Sequence, residues 1–142
     1  AAGVTSMSFS ITTSAVGSAT AVGISASYGG ATKTATLTVT PAPPPTLSSL
    51  MLTPSTVTGG SSATGTVTLS GPAPPGGAVL TLASSKPSVA AVPSSVTVAA
   101  GNSSASFTVS TVPVSSATPA VISASYKGAT KSATLSIKKR RR

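Results

Sequence analysis

The chain alternates between apolar and hydroxyl-bearing residues for most of its length, and nowhere does an apolar face recur at helical spacing. Residues 6–13 set Met7, Phe9 and Ile11 on one face and Ser8, Ser10 and Thr12 on the other, the pattern of a half-buried antiparallel strand. Residues 22–28 alternate through Val22, Ile24, Ala26 and Tyr28, and the Gly29-Gly30 pair that follows predicts a tight hairpin. The return strand, 31–40, turns Ala35, Leu37 and Val39 inward and Thr34, Thr36, Thr38 and Thr40 outward. Further strands are expected at 47–53, at 62–69 with Ala63, Gly65, Val67 and Leu69 on one face, and at 78–84, 88–92, 95–98, 104–111, 120–126 and 129–137. Pro54-Ser55, Gly59-Gly60 and the loop 71–77 (GPAPPGG) separate them, and Pro87 and Pro93 suit edges or bends.

This pattern is written twice. Residues 1–39 and 99–137 align without a gap at an offset of 98, with 23 of 39 positions identical, among them Phe9/Phe107, Tyr28/Tyr126, Lys33/Lys131 and Leu37/Leu135. A long period in a β-rich chain marks a tandem array. Length alone favours one domain in 142 residues, but the repeat divides the chain otherwise. Residues 1–40 are the C-terminal three strands of one repeat. Residues 41–45 (PAPPP) form a stiff linker, residues 46–137 a complete repeat and residues 138–142 a basic tail. The expected class is all-β, an antiparallel two-sheet sandwich, with the four aromatics Phe9, Tyr28, Phe107 and Tyr126 as core residues.

Composition then removes most chemistry. There is no Asp, Glu, His, Cys, Gln or Trp, so the carboxylates, imidazoles and thiols of general acid–base, nucleophilic and metal sites are missing. Neither an enzyme, nor a cofactor, nor a calcium clip is expected. Without Cys the chain carries no mark of redox compartment. No apolar run reaches the 18 or more residues of a membrane-spanning helix, and no signal peptide is seen.

The net charge of +9 is concentrated: Lys138, Lys139, Arg140, Arg141 and Arg142 supply five charges, and the body holds only Lys33, Lys86, Lys127 and Lys131. The tail replaces the Pro-rich spacer that would open another repeat, so it reads as the end of the array, and it could hold the chain on an anionic polymer. Specific nucleic-acid readout is not expected, because the body lacks a basic face interleaved with aromatics. The hydroxyl rank Thr34, Thr36 and Thr38, echoed by Ser132, Thr134 and Ser136, is a candidate surface for glycans, against the plainer reading that Thr suits a solvated strand. Asn102-Ser103-Ser104 matches a glycosylation acceptor, and Ser136 and Lys139 have Ser–Lys spacing; both read as chance matches at a turn and a strand end.

The succession SLMLTPSTVTGG, GTVTLSGPAPPGG, AVLTLASSKPSVAAVPSSVTVAAG, ASFTV and ISASYKGATKSATLSI resembles the bacterial immunoglobulin-like tandem repeats of large secreted and cell-surface proteins. The resemblance spans the chain apart from its tail, and its motifs are those of turns and core. It implies an immunoglobulin-like sandwich in an extracellular, non-catalytic module of a stalk, sheath or fibre, with neighbouring repeats or copies of itself as partners. Residues 1–40 lack the strands that would oppose them, since isolated strands expose an apolar face and open edges. Their complement is expected either from an upstream stretch or from a neighbouring molecule by strand exchange.

Overall fold

The computed structural model describes residues 2–141, and these form two compact units that divide between Pro43 and Pro44. Every regular element among the described residues is a strand.

The second unit holds two sheets. One has the order β3-β5-β9-β7, from β3 (Leu47–Thr53), β5 (Ala63–Leu69), β9 (Ser104–Thr111) and the two-residue β7 (Ala90–Ala91). The other has the order β4-β11-β10-β6-β8, from β4 (Thr56–Thr58), β11 (Ala129–Lys138), β10 (Thr118–Tyr126), β6 (Ala78–Ser84) and β8 (Ser95–Val98). All pairings are antiparallel except β4 with β11. Alternation decides what enters the core. Ala63, Val67 and Leu69 of β5, Leu80 and Leu82 of β6, Phe107 and Val109 of β9, Ile122 of β10, and Leu135 and Ile137 of β11 form one buried cluster fed by both sheets. The intervening Ser and Thr residues stay outside, and among the described residues no polar or charged one is buried.

Local irregularities adjust this pattern. A register shift between Leu47 and Ser49 lets Leu47 and Leu50 both face inward although they are three residues apart. β4 is a strand that the periodicity does not predict. Its three residues run parallel to Ser136–Lys138 and bury Val57, and three residues behind Pro54-Ser55 are too few to carry a period. Strand 88–92 shrinks to Ala90–Ala91, whereas 129–137 extends through Lys138, whose carbonyl accepts a hydrogen bond from the Gly59 N–H at 2.9 Å. Thr111 pins the adjoining turn: its hydroxyl accepts from the Gly60 N–H at 3.1 Å and donates to the Ser61 carbonyl. The β10–β11 hairpin closes through Lys127 and Gly128, at φ 46 and 82, the paired positive values of a two-residue hairpin turn.

The first unit has one two-stranded sheet, β1 (Thr20–Tyr28) with β2 (Ala31–Val39), in register from Thr20↔Val39 to Tyr28↔Ala31. It matches β10–β11 pair for pair at the offset of 98, down to the turn glycines Gly29 and Gly30 at φ 56 and 80. The strand expected at 6–13 does not form. Its counterpart, β9, gains its ladder from β5 and β7, and the first unit has no equivalent of either. An alternating sequence becomes a strand only where another edge supplies donors and acceptors.

Candidate interaction surfaces

Because the two units share a sequence, the second shows which side chains of the first are built for burial. Phe107 is 6% exposed and its counterpart Phe9 72%; Tyr126 is 8% exposed and Tyr28 93%. Val109 and Ala120 are fully buried, whereas Ile11 and Val22 are exposed, and Met7 is exposed as well. Met7, Phe9, Ile11 and Tyr28, expected in a core, therefore lie outside one. What covers their counterparts is β3 to β8, and nothing in the first unit takes that place. Ile11, Val16, Val22, Leu37 and Val39 line an apolar groove at the base of the β1–β2 hairpin.

The close approach that seats Phe107 is a relationship the periodicity does not reveal. Phe107 pairs with Gly65 across β5 and β9, and its ring lies where a side chain at position 65 would begin. A Cβ on Gly65 would overlap the ring atoms, so the position demands glycine for space alone. A glycine inside an otherwise β-forming run is the signal that could have pointed to it.

Thr34, Thr36 and Thr38 are exposed on one face of β2. Their partners across β1 are Ser25, Gly23 and Ala21, so a second hydroxyl rank runs beside them only as far as Ser25. At the turn end, the Ser27 and Thr32 hydroxyls bond each other at 2.7 Å. In the second unit Ser125 and Thr130 do the same at 2.9 Å, after which Ser132 faces Ser123, Thr134 faces Val121 and Ser136 faces Pro119. Neither sheet offers two complete ranks in register.

Lys138 ends β11 opposite Thr58. Lys139, Arg140 and Arg141 follow it as exposed residues and line an open concavity with Pro113 and Val114; Arg142 lies outside the described residues. The ammonium of Lys127 stands 5.3 Å from the Tyr126 ring centre, within cation–π range. Asn102 sits in the turn between β8 and β9, its N–H donating to the Ala99 carbonyl and its own carbonyl accepting from Ala73. Among the described residues no group of three or more potential metal ligands occurs, and no helix is long and apolar enough to cross a membrane.

No protein-family model and no curated protein sequence matches the chain. Among solved structures it is similar to domains 4 and 5 of the S-layer protein SbsC, with a TM-score of 0.54 and 22% sequence identity over 87% of this chain. The chain spans 59% of the length of that structure. The likeness is one of fold: a β-domain architecture also used by an S-layer protein.

Proposed function

We propose that the chain is a non-catalytic structural module of a bacterial cell-surface layer, stalk or fibre, built from immunoglobulin-like repeats in tandem. The observation that carries this reading is the pair of copies, one closed into a core and the other presenting the same apolar side chains to solvent. A module of this kind works by being continued, each C-terminal half-repeat closing over an N-terminal half. The orders β3-β5-β9-β7 and β11-β10-β6-β8 support an immunoglobulin-like arrangement, since they follow the A-B-E-D and G-F-C succession of that fold. The fold similarity to S-layer domains supports a surface location, and the lack of carboxylate, imidazole and thiol side chains supports a mechanical rather than a chemical role. The basic tail adds an attachment to anionic surface polymers through counterion release.

Antibodies raised against the chain test the location. They are expected to label intact source cells, and a chaotropic wash is expected to release the antigen. Antigen found only after lysis would overturn the reading.

A further inference from the structure

The uncovered face of residues 6–39 has a defined complement, because the second unit displays the same face already covered. We infer that this face binds an N-terminal half-repeat of the chemistry of residues 44–98, and that Phe9 selects it by requiring a glycine on the strand laid against residues 6–13. The inference rests on the tandem-repeat reading above and adds to it a partner and a recognition rule.

The register follows from the offset. β9 meets β5 through Ala63↔Val109, Gly65↔Phe107 and Val67↔Ala105, so the incoming strand meets Ile11, Phe9 and Met7 in the same order, with glycine opposite Phe9. That glycine is required for space, since the Phe107 ring fills the volume a Cβ at position 65 would enter. The neighbouring inward positions of β5 carry Ala63, Val67 and Leu69, all buried, so the complement is an apolar strand broken by one glycine. It is also nearly free of charge: residues 44–98 hold Lys86 and no other ionisable side chain. Charge therefore contributes nothing to its selection, and shape must do so. A second copy of the chain is a poor donor, because its own residues 44–98 are already closed over β9 to β11.

The test joins a copy of residues 41–98 directly ahead of Ala1 of the full chain, the spacing that the repeat itself uses between Val98 and Ala99. Amide hydrogen exchange at residues 6–13 is compared with that at 104–111. In the chain alone, 6–13 are expected to exchange freely at every protein concentration, and in the extended chain protection is expected to rise at least about 100-fold. Gly65→Ala in the added copy alone is expected to remove about tenfold or more of that protection, and to remove less when Phe9→Ala is also present, because the clash belongs to that pair. If the extended chain leaves 6–13 unprotected, the tandem reading itself falls. If it protects them and Gly65→Ala changes nothing, or costs the same with Phe9→Ala, the glycine rule falls and the tandem reading stands. Protection that grows with concentration in the unextended chain would overturn the half-repeat as occupant in favour of a second copy.

Discussion

Leu37 and Leu135 hold the same place in two copies of one hairpin, each on the returning strand two residues before the last inward position. Leu135, opposite Ala120, is fully buried, and Leu37, opposite the larger Val22, is only half-buried. The difference is the opposing sheet. Leu135→Ala is therefore expected to destabilise the second unit by about 2–5 kcal/mol, the cost of losing buried methyl groups and leaving a cavity. Leu37→Ala in the same chain is expected to leave that transition unchanged. Thermal unfolding followed by circular dichroism separates them: a melting temperature lowered equally by both would mean that the first unit already shares a core.

Glycines in the second unit should be unequal for a geometric reason. A Cβ on Gly59 would come within 2.8 Å of the Val112 carbonyl oxygen and 2.9 Å of the Val114 nitrogen, both backbone atoms that cannot swing aside. Gly59→Ala is expected to cost about 1–3 kcal/mol. Gly71 has nothing within 4 Å of its would-be Cβ and no positive φ, so Gly71→Ala is expected to be neutral or to stabilise by up to about 1 kcal/mol, through the unfolded chain. Denaturant midpoints for the two variants check the ordering, and Gly71→Ala as the worse of the pair would contradict it.

Acid and chelators should leave the fold untouched. Stability depends on pH only where folded and unfolded states bind different numbers of protons, and the chain has no Asp, Glu or His to create such a difference. No carboxylate is held ionised by the fold, so no stabilising charge is lost as the pH falls. The melting temperature is expected to stay within about 2 °C between pH 7 and pH 3, with or without EDTA; a fall of 10 °C on acidification would contradict the argument.

The strands of the second unit were legible because their core-facing residues recur at the period a pleated strand imposes, as Ala63, Gly65, Val67 and Leu69 do. What was not legible depended on partners rather than on period. Residues 6–13 alternate as well as 104–111 do, yet only the latter become a strand, because pairing is a property of two segments and their partner strand is missing from the first unit. β4 exists because the end of β11 offers it an edge, and the bulge at Ser48 because Leu47 and Leu50 both find room inside. The hydroxyl rank of Thr34, Thr36 and Thr38 could be read along β2, but its truncation at Gly23 and Ala21 emerged only with the register of β1.

The basic tail should act on binding and not on folding. Lys139, Arg140 and Arg141 are exposed and lie beyond the end of β11, so deleting residues 139–142 removes four of the nine positive charges without touching a ladder hydrogen bond. Lys138 is retained, because its carbonyl accepts from Gly59 and helps hold β4 in place. Retention of the full chain on a sulfated or phosphate-rich polymer is expected to fall steeply with added salt, since clustered cations bind by displacing counterions and exposed charges are screened within about 8 Å at physiological ionic strength. The deletion is expected to elute at markedly lower salt with an unchanged melting temperature. Elution at the same salt would move the polyanion contact to Lys33, Lys86, Lys127 and Lys131, and a lowered melting temperature would show that the tail packs against the sheet it follows.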